Sequence, residues 1–417
     1  MSLVIKNAIV VNSRGRKARD VYVKDGKIVA PFAEKGMTVI EAHGKYLLPG
    51  AVDVHVHFRE PGASEKEDWE TGSAAAAMGG VTTVLDMPNT NPPTTNAAAL
   101  EAKRKIVKGR SRVNYGFFAG ASDEVEALEK MKGIVGIKLY MASTTGDLLV
   151  DKPSIWEEVF EFAKARKLPV VVHAEKQSRI LEGERNCACA REATEAALML
   201  RKKIGNQLHI AHLSCKSELE LMRDFRDKNV SCEVTPHHLF FTMEDAEEEP
   251  LFKMNPPLRT FIDVESLWRG LLDGTVTCIA TDHAPHLRKE KEVDFDKAPA
   301  GVPGVEFSLP LLLNSANEGK LHLEKVVALM CENPAQTFHL LGKGKIEEGY
   351  DADLVLVDMD LEKTIDAKDV KSKCGWTPYE YFTLKGWPIL TVVNGEVVMD
   401  KRKIVGGMPG EEVKVGN

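Results

Sequence analysis

Apolar runs that alternate with amphipathic segments dominate the middle of the chain. Eight of these runs have the length and composition of buried strands, and most are followed by a segment rich in Ala, Glu, Lys and Leu with helical spacing. The predicted strands cover residues 51–57, 81–87, 113–120, 134–141, 169–175, 207–214, 230–236 and 276–282. The clearest predicted helices cover residues 94–109, 154–167, 191–205 and 216–228. Eight strands that alternate with helices over about 290 residues indicate an α/β fold, a closed parallel (β/α)8 or TIM barrel.

The two ends of the chain show a different pattern, with short strands and tight turns. Apolar runs flank Asp25–Gly26 near the start and Asn394–Gly395 near the end, and both dipeptides favour two-residue hairpin turns. Strand-rich ends that flank a barrel are most simply one unit. We therefore predict a small β-sandwich domain built from both termini, residues 1–48 and 343–417, and a catalytic barrel over residues 49–342.

Composition narrows the class of protein. The 417 residues are 43% hydrophobic and 28% charged, and the formal net charge of −7 comes without a long basic run, which argues against a nucleic-acid binder. No apolar stretch approaches the roughly 18 residues of a membrane span, and the N-terminal run is too short for a signal peptide. We expect a cytoplasmic protein with small molecules or proteins as partners. The seven scattered cysteines predict reduced thiols.

Histidines collect where the predicted strands end, which is the face that carries the active site in such barrels. His55 and His57 project from the same face of the first strand, since side chains alternate along a strand. The fifth strand ends at His173, the sixth contains His212, and the eighth ends at Asp282. Four imidazoles and a carboxylate spread over barrel strands are typical of a hydrolytic zinc site.

Lys138 lies within the apolar run IVGIKLYM of the fourth predicted strand. An unpaired buried ammonium costs several kcal/mol, so this position needs an explanation. One interpretation is a lysine at the rim of the strand that reaches water. The other is reaction with carbon dioxide to a carbamate, whose two oxygens bridge two metal ions and remove the positive charge.

Together these motifs resemble the cyclic amidohydrolases and, within them, the dihydroorotases. The resemblance rests on DVHVHFREPG, GIKLYM, VVHAE, HIAHLS, CEVTPHHLF, KMNPPLR, ATDHAPH and GVPGVEFSLPLLL, and it runs from residue 47 to about residue 314. Arg59 in REPG is its most specific part, because allantoinases usually place a different residue there. The resemblance implies the reversible cyclisation of N-carbamoyl-L-aspartate to L-dihydroorotate in de novo pyrimidine (UMP) biosynthesis.

The resemblance also implies a role for particular residues. Six side chains would bind one or two zinc ions: His55, His57, Lys138, His173, His212 and Asp282. Lys138 would do so as a carbamate, although many bacterial members carry aspartate at that position. Asp282 would also be the catalytic acid and base. Substrate would be bound by Arg59, Asn89, Asn255, His286, Ala300 and Gly301.

Other functions and assemblies stay open at this point. One alternative is a related enzyme that opens allantoin, hydantoin or dihydropyrimidine rings, against which Arg59 and Asn89 argue. A second is a non-catalytic scaffold homologue, which is disfavoured because such relatives typically lose metal ligands. A homo-oligomer and an association with aspartate carbamoyltransferase are both compatible with the sequence.

Overall fold

The computed structural model describes residues 2–416. Within that range eight parallel strands form a barrel in which each strand is hydrogen-bonded to the next in chain order. The barrel closes where Val56 bridges His283 and the His57 amide donates to the His283 carbonyl at 2.8 Å. The strands are Ala51–Val56, Val81–Asp86, Asn114–Gly120, Gly136–Tyr140, Pro169–His173, Gln207–Ile210, Val230–Val234 and Cys278–Ile279. The predicted (β/α)8 barrel is confirmed.

The eighth strand, Cys278–Ile279, is shorter than its apolar run predicts, and a side chain of the first strand binds the residues that follow it. Asp53, on the first strand, accepts hydrogen bonds from the Thr281 amide at 3.0 Å and from the Thr281 hydroxyl at 2.5 Å. Asp53 thus ties the first strand to the chain that follows the last one. That chain then turns through Asp282, which has a left-handed backbone conformation with φ 47°.

Helices surround the barrel, and the four clearest predicted helices are confirmed as Ala97–Val107, Pro153–Arg166, Cys187–Ile204 and Lys216–Phe225. Two of them begin at asparagine caps, since Asn96 and Asn186 each accept a hydrogen bond from an amide of the first turn. The other helical segments are Trp69–Met78, Val125–Lys130, Gln177–Leu181, Pro236–Phe240, Met243–Glu248, Pro250–Phe252, Phe261–Asp273, Arg288–Lys291, Ser308–Asn317, Leu323–Val327, Ala328–Glu332, Asn333–Thr337 and Ala367–Asp369. None of the helices within residues 2–416 is long and apolar enough to cross a bilayer.

Both ends of the chain contribute to a second sheet, separate from the barrel. The ends meet where Tyr46–Pro49 pairs antiparallel with Leu354–Thr364. Both predicted hairpins are present, since Lys24 pairs with Lys27 and Val393 with Glu396. In the described part of the chain this sheet has nine strands: Ser2–Asn12, Gly15–Lys24, Lys27–Val29, Thr38–Glu41, Tyr46–Pro49, Leu354–Thr364, Thr383–Val393, Glu396–Asp400 and Lys403–Ile404. The prediction of one unit built from both termini is confirmed; the limits 1–48 and 343–417 stay a prediction.

The connection between two strands of the terminal sheet, residues 365–382, returns to the active-site face of the barrel. The Trp376 indole donates to the His286 carbonyl at 2.8 Å, and the Ser372 hydroxyl donates to the buried carboxylate of Glu67. The Thr377 hydroxyl donates to the Pro303 carbonyl at 3.4 Å. The terminal unit therefore contacts the loop that follows the eighth barrel strand.

The prediction that all seven cysteines are reduced is wrong for two of them, since Cys187 and Cys215 form a disulfide. Cys187 begins the helix Cys187–Ile204, and Cys215 immediately precedes the helix Lys216–Phe225. The barrel places the loops after its fifth and sixth strands side by side, which brings together two cysteines 28 residues apart. Local sequence spacing does not reveal such a pairing. The remaining cysteines are free and buried.

Candidate metal centre and active site

A cavity opens at the carboxyl ends of the barrel strands. It is lined by His55, His57, Arg59, Asn89, Tyr140, Thr144, Thr145, His173, His212, Asn255, Asp282, Ala284, Ala300 and Gly301. All the predicted site residues except Lys138 and His286 are among these. The barrel accounts for the convergence, because side chains at the ends of neighbouring parallel strands face one mouth.

Three groups at the carboxyl ends of the first and eighth strands form one side of the cavity. Oδ1 of Asp282 lies 2.8 Å from Nε2 of His57 and 3.3 Å from Nε2 of His55. The opposite nitrogens are engaged: Nδ1 of His55 donates to Glu233 at 2.5 Å, and Nδ1 of His57 donates to the side-chain carbonyl of Asn89 at 2.6 Å. With Nδ1 engaged on the outer side, Nε2 is the nitrogen that each ring presents to the cavity.

Two further imidazoles face each other on the fifth and sixth strands. Nδ1 of His173 lies 3.0 Å from Nε2 of His212. Nε2 of His173 donates to Glu175 at 2.8 Å, and Glu175 also accepts a hydrogen bond from Arg185 at 2.9 Å. Burial, followed by the neighbouring His173 and Lys138, holds the pKa of His212 well below its ordinary value. The His212 ring is therefore neutral.

Lys138 is completely buried, so the interpretation in which it reaches water is wrong. Its Nζ has no hydrogen-bond partner among the described residues and lies 5.3 Å from the centroid of the Tyr140 ring. Burial lowers the pKa of Lys138 to about 8, although Glu233 and Asp282 raise it. The lowered pKa favours the neutral, nucleophilic amine compared with an exposed lysine.

This donor set fits a metal centre. His55, His212 and Asp282 each offer a ligand atom, and these atoms lie within 4.8 Å of one another. Burial raises the pKa of Asp282, but His55 and His57 oppose this and hold the pKa well below its ordinary value, so the carboxylate is ionised. Imidazole nitrogens and a carboxylate that converge in one buried cavity are the ligand types that zinc favours.

Arg59, two residues after His57, is the candidate for binding a carboxylate. The residue is buried, and its Nε donates to the Pro285 carbonyl at 3.0 Å. Its Nη2 lies 3.2 Å from Nε2 of His286, whose Nδ1 accepts a hydrogen bond from Lys66 at 3.3 Å. Burial, then Arg59 and Lys66, lower the pKa of His286 to about 2. His286 is therefore a neutral support behind Arg59.

A buried ion pair, absent from the sequence predictions, fixes the backbone between His57 and Arg59. Asp86 accepts a hydrogen bond from the Phe58 amide at 2.8 Å and forms an ion pair with Lys103. Lys103 also donates to the Met87 carbonyl at 3.0 Å. The signal in the sequence is that Lys103 occupies the apolar face of its helix, three residues after Leu100 and four before Val107, both of which are buried.

The remaining predicted substrate contacts occupy the rim. The Asn89 amide donates to the Thr145 carbonyl at 3.0 Å, so both ends of its side chain are engaged. Gly301 has φ 132°, and a Cβ there would lie 2.6 Å from the Ala284 carbonyl oxygen, so glycine is required. The structure brings Ala300, Gly301 and Asn255 to the same cavity. Their contacts with substrate stay a prediction.

The chain belongs to the amidohydrolase family, whose family model matches residues 46–398. Within that family its sequence relatives include dihydroorotases, which confirms the resemblance. The dihydroorotase of Methanosarcina mazei is 37% identical, with 96% of this chain and 94% of the relative covered. That of Pyrococcus abyssi is 38% identical, with 99% and 98% covered.

Solved structures of other cyclic amidohydrolases share the fold over its full length. The L-hydantoinase (dihydropyrimidinase) from Arthrobacter aurescens superposes with a TM-score of 0.93 at 32% identity, with 99% of both chains covered. The dihydropyrimidinase from Brevibacillus agri NCHU1002 gives a TM-score of 0.91 at 26% identity, with all of both chains covered. The shared architecture therefore extends beyond the barrel to the terminal sheet.

Proposed function

We propose that this chain is a zinc-dependent dihydroorotase, which interconverts N-carbamoyl-L-aspartate and L-dihydroorotate. Similarity to dihydroorotases over nearly the whole chain supports this function. The observation that carries it is Arg59, a buried guanidinium in the wall of the cavity that donates to the Pro285 carbonyl and lies beside the neutral His286 ring. A planar fork of donors in that position suits a carboxylate, and dihydroorotate is a cyclic amide that bears one.

The six proposed ligands would hold one or two zinc ions. His55, His57 and Asp282 would lie on one side of the centre, and His173 and His212 on the other. Zinc in such a site acts as a Lewis acid and makes hydroxide accessible near neutral pH, since the pKa of its water falls from 15.7 toward about 7. Lys138 would lie between the two groups as a carbamate. Its neutral amine attacks carbon dioxide, an N–C bond forms, and one proton is released to solvent.

Asp282 is the proposed acid and base of the reaction. In the direction of ring opening its carboxylate accepts a proton from the attacking water and later delivers it to the departing amide nitrogen, so one group does both steps. Arg59 would hold the carboxylate of the substrate. Asn255 and the backbone at Ala300–Gly301 would face the imide edge of the ring, to which an amide side chain can both donate and accept.

The choice of ring that is opened distinguishes this function from the main alternative, a hydantoinase or dihydropyrimidinase, with which the structural neighbours are also consistent. Zinc-loaded protein is assayed on L-dihydroorotate, allantoin and hydantoin, with a chelator-treated control. We expect chelator-sensitive turnover of dihydroorotate alone. Turnover of the other rings instead would overturn the substrate, and zinc-loaded protein that opens none of them would favour the scaffold alternative.

The Lys138 carbamate is tested by a Lys138→Ala variant. We expect it to bind less zinc per chain and to lose most turnover, because a bridging ligand is removed from a buried site. Metal analysis measures the zinc, and intact mass in bicarbonate buffer checks whether the wild-type chain alone carries one added carbon dioxide. Full zinc occupancy with intact activity in the variant would refute the carbamate.

A further inference from the structure

Lys291 is a buried lysine whose hydrogen-bond acceptors are all backbone carbonyls. It ends the short helix Arg288–Lys291 in the loop after the eighth barrel strand, and its side chain is completely buried. Its Nζ donates to the carbonyl of Lys253 at 2.8 Å, of Pro299 at 2.8 Å and of Gly301 at 3.1 Å. Burying an ammonium group costs several kcal/mol of hydration free energy, and the three carbonyl acceptors offset part of that cost.

These carbonyls belong to the two segments that carry the rim of the cavity. Lys253 lies two residues before Asn255, and Pro299 and Gly301 flank Ala300. Asn255, Ala300 and Gly301 all line the cavity. The Gly301 amide donates to the Lys253 carbonyl at 3.0 Å, so Lys291 adds a charged bridge to a single backbone contact between the segments.

The groups around Lys291 favour a bridge that depends on its proton. Burial, followed by the like charge of Lys253, lowers its pKa to about 7. The Lys253 ammonium is itself turned to the Phe295 and Asp296 carbonyls, and neutral His286 contacts the Ala300 carbonyl at 3.1 Å. A protonated amine has three N–H groups, whereas the neutral amine has two. Only the charged form of Lys291 can donate to all three carbonyls at once.

We propose that Lys291 is a positioning residue for the substrate ring, which fixes the spacing between Asn255 and the Ala300–Gly301 backbone. The identity of the ring rests on the proposed function, whereas the positioning itself does not. Lys291 touches no reacting atom and acts through the two segments it joins. Nothing in the local sequence distinguishes it from Lys289, which lies in the same charged stretch and is exposed.

The test compares Lys291→Met with Lys289→Met, a matched exposed control. We expect Lys291→Met to raise KM for dihydroorotate, and Kd for its oxidised analogue orotate, by about tenfold, the equivalent of one lost charged hydrogen bond. Turnover at saturation changes less than about threefold, since no group that acts only in the transition state is removed. Zinc content stays unchanged, and Lys289→Met behaves as the wild type.

Two further readouts separate positioning from general stability. The ratio of variant to wild-type Kd for orotate should fall as pH rises between about 6 and 8, because the wild type loses its ammonium over that range and the variant has none to lose. Hydrogen exchange at the Gly301 amide should be faster in Lys291→Met and unchanged in Lys289→Met.

Several results would overturn the positioning role. Unchanged KM and Kd with a lowered Tm would make Lys291 merely structural, as would a Kd ratio that does not vary with pH. If the wild type prefers another cyclic amide, the proposed substrate fails, and the same KM comparison on that ring still tests Lys291. If no ring is opened, unchanged exchange at the Gly301 amide refutes the bridge.

Discussion

The proposed metal-binding side of the cavity and its proposed substrate-binding rim are held in place by different means. On the metal side the side chains lie at strand ends, and buried carboxylates engage the outer nitrogens of two of the histidines: Glu175 that of His173 and Glu233 that of His55. On the rim the groups lie on loops, and buried lysines hold those loops. Lys103, through Asp86, fixes the backbone before Arg59, and Lys291 bridges the segments that carry Asn255 and Ala300.

This difference suggests that one side of the cavity serves the chemical step and the other serves substrate binding. Strand-borne ligands inherit their geometry from the barrel, so a change there removes a reacting or metal-binding group and leaves the architecture intact. Loop-borne groups depend on contacts made across long stretches of sequence, so a change there shifts substrate affinity. We therefore expect substitutions on the metal side to lower kcat or metal affinity, and substitutions on the rim to raise KM.

The largest effect is expected for Asp282→Asn. The amide cannot accept the proton of the attacking water, so kcat should fall about a thousandfold or more. The His55, His57, His173 and His212 nitrogens remain, so the variant should retain substantial zinc. Metal analysis alongside steady-state ring opening checks both parts. Turnover close to that of the wild type would remove Asp282 from the proton-transfer role. It would also contradict the expectation that substitutions on the metal side lower kcat.

A smaller effect, and one of a different kind, is expected for Arg59→Met. Loss of a charged, bidentate partner should raise KM for dihydroorotate by about a hundredfold. The same variant should leave nearly unchanged the inhibition constant of dihydrouracil, the same ring without the carboxylate. Steady-state kinetics on both rings measures the selectivity of the effect.

Arg59→Lys is the matched control, because it keeps the charge and loses the planar fork. We expect an intermediate KM for dihydroorotate. An unchanged KM in Arg59→Met would contradict the assignment of Arg59 as the carboxylate-binding group, and an equal rise for both rings would make Arg59 a structural support of the rim.

The comparison also explains which parts could be predicted from the sequence. His55, His57 and Asp282 were predictable because strand alternation and barrel topology place strand ends at one mouth, so a local pattern determines a global position. The role of Lys291 was not predictable, since nothing in a charged run shows which lysine side chain is buried. The Cys187–Cys215 disulfide was not predictable either, because it depends on two loops that meet only in the closed barrel.

Glu233 is the intermediate case, and it yields the smallest predicted effect. A carboxylate between Cys232 and Val234 in an apolar strand was a visible signal, but its partners lie on other strands. Glu233 accepts hydrogen bonds from Nδ1 of His55 at 2.5 Å and Nε2 of His209 at 3.0 Å. Burial raises the pKa of Glu233, but the two histidines lower it by more than burial raises it. The pKa therefore lies below its ordinary value, and the side chain is a carboxylate.

Glu233→Gln removes that charge while it preserves the shape, so His55 loses the carboxylate that orients its ring and strengthens its inner nitrogen as a ligand. We expect zinc affinity to fall about tenfold. Competition with a chromophoric chelator measures this, with Glu220→Gln on an exposed helix face as the control. Kinetics at saturating zinc should show a nearly unchanged KM, since the rim is untouched. A raised KM at full zinc occupancy would instead show that the two sides are coupled through the first strand, which carries both His55 and the approach to Arg59.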